Sequence, residues 1–261
     1  MDKDAIIKTA HAMADAARAV ILPHFRTLDL SAENKSLTGF DPVTAADRAA
    51  ERAMIKVLQK QRPDDAILGE EFGEHQGTSG LTWVLDPVDG TRAFLSGTPT
   101  WGTLIALRDQ SGPIYGLIDQ PYIGERFEGG LGLSRMTGPQ GTRALHARGD
   151  RPLAQAILFS TFPEVGTPDE SAAFGRVTQA VQLVRYGMDC YAYALLAAGQ
   201  IDLVIEAGLQ AYDIQAPIAV IEAAGGIVTD WQGGPAHDGG RVLAAAGRAQ
   251  HAAALRLLAD V

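Results

Sequence analysis

The chain has 261 residues, 46% hydrophobic and 20% charged, enough for one large domain or two intimate subdomains with a sizeable core. A net charge of −9 argues against a nucleic-acid backbone or an anionic membrane surface as partner; it is compatible with cation binding or with a solvated acidic surface. The single cysteine, Cys190, excludes a disulfide framework and any multi-cysteine zinc site within one chain, and no apolar run approaches the ~18 residues of a membrane span.

The first residues, MDKDAIIKTAHAMADAARAV, carry acids where a signal peptide would carry basic residues, so the expected compartment is the cytoplasm. Ile6, Ile7, Ala10, Met13, Ala14, Ala17, Val20 and Ile21 recur at helical spacing and predict a helix over 4–25, with Pro23 marking its end nearby. A polar loop is expected over 31–42. Thr44-Ala45-Ala46-Asp47 resembles a capping box and opens a helix to about Gln61. Short apolar runs follow, "AILGEEFG", "LTWVLDP", "GTLIALRD" and "PIYGLIDQP", separated by Gly and Pro, and these read as strands. "GERFEGGLGLS" reads as one more hairpin arm.

Beyond about residue 150 the pattern alternates. "AILFSTF", "VQLVRYG", "IDLVIEA", "GIVTDWQG" and "VLAAAG" read as strands, with helices over 169–181, 189–199, 213–224 and 248–259. A strand-rich half thus precedes an alternating α/β half. The Arg- and Gly-rich segment 135–151 is the expected boundary. The expected division is into an N-terminal α+β subdomain, 1–145, and a C-terminal α/β subdomain, 146–261. There is no internal repeat.

Acidic residues stand where strands end or helices begin: Glu70-Glu71 after "AIL", Asp86 and Asp89 after "TWVL", and Asp47 and Asp213 at helix starts. Such places are where open sheets present groups to ligands. Carboxylates and carbonyls are hard oxygen donors, suited to Mg²⁺, Mn²⁺ or Ca²⁺. The six histidines (11, 24, 75, 146, 237 and 251) have no ligand spacing. In Asp86-Pro87-Val88-Asp89-Gly90-Thr91, Pro87 shapes a turn that can bring both acids and the Val88 carbonyl toward one point. Gly90 and Thr91 add amides and a hydroxyl, an anion site if a helix starts there. Taken singly, Asp47 and Asp213 read as helix caps and Glu70-Glu71 as a solvated turn. Two acids with no basic neighbour before Arg92 repel each other unless a cation lies between them.

The blocks "DPVTAADRAAE", "ILGEEFG", "WVLDPVDGTRAF" and "YDIQAPIAVIEAAGGIVTDWQG", in this order and spacing, resemble the inositol monophosphatase family of metal-dependent, lithium-sensitive phosphatases. The resemblance implies a layered αβαβα sandwich of the inositol monophosphatase and fructose-1,6-bisphosphatase type, and a homodimer. It implies two or three Mg²⁺ ions per site, with Mn²⁺ possible, held by Glu70, Asp86, the Val88 carbonyl, Asp89 and Asp213. Glu70, Thr91 and Asp47 would form the catalytic set: Thr91 helps activate a water for in-line attack, and Asp47 orients the Thr91 hydroxyl. The Gly90 and Thr91 amides would hold the phosphate, beside Asp213.

Two stretches depart from the inositol enzymes. "RAFLSGTPTWGTLIAL" after Thr91, and "VRYGMDCYAYALLAAGQIDLVIEAGLQAYD", resemble the histidinol-phosphatase branch, with Met188 where that branch has a Gly. Histidinol phosphate carries an ammonium and an imidazole, which Asp189 and Glu206 could meet; inositol has no cation. Arg185 is expected either on the phosphate or holding Asp189 in place, and Tyr191 and Tyr193 in the core. The expected reaction is Mg²⁺-dependent hydrolysis of L-histidinol phosphate in histidine synthesis. The rivals are a generalist inositol-1-phosphate phosphatase, a nucleotidase of the same family and an inactive Mg²⁺-binding scaffold. A haloacid-dehalogenase mechanism needs Asp-x-Asp-x-Thr, whereas these acids are three apart.

Overall fold

The computed structural model describes residues 1–27, 32–34 and 42–259. Helix α1 (Lys3–Ile21) passes into a single tight turn over Leu22–His24, where Pro23 removes an amide donor. Part of the stretch expected as a polar loop pairs instead, β1 (Ala32–Asn34) running antiparallel to β2 (Pro42–Thr44). A ladder this short needs no apolar alternation, the signal from which a strand is read. The rest of that stretch, Asp41 included, lies outside the described residues. Helix α2 (Ala45–Gln61) is capped reciprocally: the Thr44 amide donates to Asp47 at 2.9 Å and the Thr44 hydroxyl accepts from the Ala46 amide at 3.1 Å.

A large sheet follows: β3 (Ala66–Gly69), β4 (Gly73–His75), β5 (Thr82–Asp89), β6 (Gly102–Asp109), β7 (Gly112–Gln120), β8 (Glu125–Gly130), β9 (Leu133–Gly138) and β10 (Gly141–Ala144). Its spatial order is β10-β9-β8-β7-β6-β5-β3-β4. Strands β3 and β5 run parallel and the other neighbours antiparallel. Helix α3 (Thr91–Ser96) is inserted between β5 and β6. The expected boundary segment is partly strand, because β10 folds back on β9 from Gly141.

The second sheet is built from β11 (Ile157–Ser160), β12 (Leu183–Tyr186), β13 (Leu203–Leu209), β14 (Ile227–Thr229) and β15 (Gly240–Ala245), in the order β12-β11-β13-β15-β14. Its helices are α4 (Pro168–Thr178), α5 (Asp189–Ala197), α6 (Ala211–Ala223) and α7 (Arg248–Leu258).

Side chains alternate along the strands between separate cores. Trp83 and Leu85 of β5 pack with Met13 of α1 and Met54 of α2. Val84, between them, joins the core shared by α5, α6 and both sheets, together with Val204 and Val242. Leu203, Leu243 and Ala245 point the other way, onto Phe174 of α4 and Leu258 of α7. Five layers result: α1/α2, large sheet, α5/α6, small sheet, α4/α7. This is the expected αβαβα sandwich, and its middle core draws on both halves of the chain. No helix among the described residues is long and apolar enough to cross a membrane.

Helix α6 lies almost on the large sheet. A Cβ at Gly116 would stand 2.2 Å from the Ala216 carbonyl oxygen, and one at Gly129 2.4 Å from that of Ala219. The two glycines face each other across β7 and β8, so together they clear a flat seat for the helix. Gly116→Val is expected to lift α6 and cost about 1–3 kcal/mol by overpacking. Thermal unfolding measures it; an unchanged melting curve would contradict the close seat.

Candidate active site

The site begins with a bulge. Asp86 of β5 lies opposite Leu104 of β6, but Asp89 lies opposite Gly102, so three steps on one strand match two on the other. Residues three apart on a regular strand face opposite sides; the extra residue turns Asp86 and Asp89 to the same side. Pro87 sits in the bulge, where no ladder donor is needed, and its carbonyl accepts the Thr103 hydroxyl at 2.8 Å. The Val88 amide donates to Asp86 at 3.0 Å.

Asp213 comes from the first turn of α6 and accepts from the Gln210 amide at 2.6 Å. One carboxylate oxygen from each of Asp86, Asp89 and Asp213 lies within 4.8 Å of the others. Glu70, just beyond β3, joins this wall because β3 is parallel to β5; its amide donates to the Leu85 carbonyl at 3.1 Å. Burial pushes the Asp86 and Asp89 carboxyls well above the usual range. Neighbouring acids push further in the same direction, Glu70 and Asp89 on Asp86, Asp189 and Asp213 on Asp89.

The Thr91 hydroxyl stands 3.4 Å from Asp47 Oδ1 and 3.2 Å from the Val88 carbonyl oxygen. Asp47 is fully buried, and burial raises its carboxyl above the ordinary value. Its other oxygen takes both the amide and the hydroxyl of Thr44. The residue therefore caps α2 and reaches Thr91 with one side chain. Gly90, with φ of 82°, turns the chain into α3.

Glu70, Asp86, Val88, Asp89, Gly90, Thr91 and Asp213 line a pocket of about 340 Å³ whose opposite wall comes from the small sheet. There Glu206 of β13 accepts from the Thr161 amide at 2.9 Å, the Thr161 hydroxyl at 2.5 Å and the Tyr193 hydroxyl at 2.9 Å. Burial raises the Glu206 carboxyl to about 7 despite these donors. Asp189, the first residue of α5, accepts from the Thr100 hydroxyl at 2.7 Å. Arg92 of α3 also lines the pocket, its guanidinium 4.8 Å from the ring centre of Phe162.

The fold thus brings Asp47, Glu70, Asp86, Val88, Asp89, Gly90, Thr91, Asp189, Glu206 and Asp213 into one neighbourhood. Arg185 stays apart. It lies exposed on edge strand β12, opposite Phe159 and outside the pocket lining, and the hydroxyl on Asp189 is that of Thr100. Tyr193 is buried as core, but its hydroxyl also holds Glu206. Thr100, Thr161 and Phe162 escaped the sequence reading. Thr161 and Phe162 end "AILFSTF", a strand parallel to β13, so a search of strand ends for all polar and aromatic residues, and not for acids alone, would have found them. Thr100 lies in a connection and gave no such signal.

Five layers with carboxylates gathered at the strand ends define a class, the α+β sandwich enzymes with an acidic metal centre. The chain belongs to the inositol monophosphatase family, whose sequence model matches residues 2–261, and it is a phosphatase of that metal-dependent family. The bifunctional phosphatase IMPL2, chloroplastic, of Arabidopsis thaliana is 43% identical over 232 residues, 88% of this chain and 65% of that protein. The chain therefore spans just under two thirds of that relative's length. A histidinol-phosphatase of Streptomyces coelicolor is 35% identical over 252 residues, covering 93% of this chain and 92% of its own. The solved structure of an inositol monophosphatase from Zymomonas mobilis superposes with a TM-score of 0.87 at 37% identity, over 99% of both chains.

Glu206 gives the metal-free protein a pH signature. The folded state keeps its proton up to about 7 whereas an ordinary glutamate loses it near 4.5, so between these values the folded state binds more protons and stability falls as pH rises. Glu206→Gln, which keeps a neutral acceptor for Thr161, is expected to melt higher than the parent at about pH 8 and alongside it near pH 4. Parallel melting curves across the range would mean that the folded protein holds this carboxyl ionised.

Proposed function

We propose that this phosphatase hydrolyses L-histidinol phosphate to L-histidinol and inorganic phosphate with Mg²⁺ as cofactor, two or three ions per site, Mn²⁺ being able to replace it. The convergence of Asp86, Asp89 and Asp213 carries the reading. Buried carboxylates gathered this closely disfavour one another's charge, and a hard divalent cation reverses that penalty. The donor set fits: Glu70, Asp86, Asp89, Asp213 and the Val88 carbonyl are all oxygen ligands. When bound, the ions would supply the positive charge that favours ionisation of water and offsets charge on the leaving oxygen.

The remaining work falls to the chain. The Thr91 hydroxyl has one proton, given to Asp47 or to the Val88 carbonyl, so its lone pairs are left to accept a proton from the attacking water. Asp47 is clamped by Thr44 and cannot swing away. The Gly90 and Thr91 amides at the start of α3 bind phosphate oxygens. Asp189 and Glu206 on the far wall meet the ammonium and imidazole of the substrate. Histidinol-phosphatases among the relatives support this substrate. The likeness to the Zymomonas mobilis enzyme favours a second reading, a generalist inositol-1-phosphate phosphatase. The family resemblance also supports a homodimer.

Phosphate release from a panel of monoesters with Mg²⁺ tests the reading. Histidinol phosphate is expected to exceed inositol 1-phosphate in kcat/KM by about 100-fold or more; near-equal values would favour the generalist. Asp189→Asn should lower kcat/KM for histidinol phosphate by about tenfold and leave inositol 1-phosphate nearly unchanged. Equal losses on both substrates would remove Asp189 from specificity. Mg²⁺ should raise the melting temperature of the parent chain and lose that effect in Asp86→Asn, as calorimetry would show. A persistent rise in the variant would place the ion elsewhere.

A further inference from the structure

The two stretches that set this chain apart from the inositol enzymes, residues 92–107 and 184–213, meet behind the pocket. The Thr100 hydroxyl donates to Asp189 Oδ2 at 2.7 Å, and Thr100 is 7% exposed, so the bond is shielded from water. The same junction is packed tightly: a Cβ at Gly102 would stand 2.7 Å from Cys190 Sγ. The Cys190 amide donates to Asp89 Oδ2 at 2.7 Å, which ties the start of α5 to the metal wall.

Asp189 needs such a hold. Its φ is 47°, a left-handed conformation that costs a non-glycine residue about 1 kcal/mol or more and persists where neighbours over-determine it. Its carboxyl group lies over Gly90: a Cβ there would come within 2.8 Å of Asp189 Cγ and 3.1 Å of Oδ1. Oδ1 therefore lies beside the Gly90 turn that carries Asp89 and Thr91 and lines the pocket, while Oδ2 is turned back onto Thr100. A carboxylate on a strained backbone with one oxygen fixed presents the other in a single direction.

We propose that Thr100 is a positioning residue for substrate selection: its hydroxyl pins one oxygen of Asp189 so that the other meets the cationic group of an amino-alkyl phosphate. Selectivity then belongs to the Thr100–Asp189 pair, one member from each half of the chain. The inference rests on the proposed role of Asp189 toward the substrate cation.

The test is steady-state kinetics of the full chain with Mg²⁺, on histidinol phosphate and inositol 1-phosphate, for Thr100→Val, Thr100→Ser, Asp189→Asn and the double variant Thr100→Val/Asp189→Asn. Thr100→Val keeps the shape and removes the hydroxyl. It should raise KM for histidinol phosphate about tenfold, with kcat and the inositol phosphate constants within about twofold of the parent. Thr100→Ser should restore KM, and in the Asp189→Asn background Thr100→Val should have no further effect. A loss shared by both substrates, or falling on kcat, would show a structural role passed through Cys190 to Asp89 and overturn the proposal. So would unchanged kinetics in Thr100→Val when Asp189→Asn shifts the substrate ratio. If Asp189→Asn itself leaves that ratio unchanged, the reading of Asp189 fails first, and the role of Thr100 falls with it.

Discussion

Three carboxylates held at one point are the constraint around which the rest of the molecule is arranged. Asp86, Asp89 and Asp213 lie on two elements more than a hundred residues apart in sequence, yet their oxygens come within 4.8 Å. Like charges at such distances, out of water, repel strongly. The chain brings them together by three local devices. A bulge puts two acids of β5 on one side, a pair of glycines lets α6 settle onto the sheet, and the Gln210 amide fixes Asp213 in the first turn. Each costs regularity or packing, and the ligand that relieves the repulsion is a cation.

Such a centre needs a rigid frame. The outer helix α1 is fastened to the large sheet at two buried acids. Asp119 takes Arg18 at 2.9 Å and Arg126 at 2.8 Å, and Glu128 takes His11 at 2.7 Å, Tyr115 at 2.8 Å and Arg135 at 2.9 Å. Burial alone would raise the Glu128 carboxyl, but these donors hold it down to about 2. A buried acid is thus tolerated in two opposite ways within one protein. Where Arg135 and His11 are among its partners, as at Glu128, it is a fixed anion and a structural tie; where acids surround it, as at Asp86, it waits for a cation.

The pocket is a seam. Its metal wall comes from β3, β5 and α6, and its far wall from β11, β13 and the start of α5. In the proposed reading the phosphate chemistry belongs to the first wall and the organic half of the substrate to the second. The proposed selectivity, in Thr100 and Asp189, lies where connections from the two halves cross. A change of substrate on this scaffold therefore needs no change at the bulge.

The local sequence determined the long helices, most strands and the acids at their ends, because amphipathic period, caps and Gly or Pro punctuation act over a few residues. It did not mark β10 or the β1–β2 pair, short ladders whose stability comes from backbone pairing and not from an apolar pattern. Asp47 read singly as a cap, and it is one, but its reach to Thr91 depends on packing between α2 and the turn after β5. Arg185 shared a sequence neighbourhood with Asp189, yet strand β12 holds it on an exposed edge, whereas Thr100, far away in the chain, holds the carboxylate. Composition and local pattern thus decided which chemistry the chain could carry. Which oxygen faces which partner was decided only by the tertiary structure, since those contacts join segments that no sequence period connects.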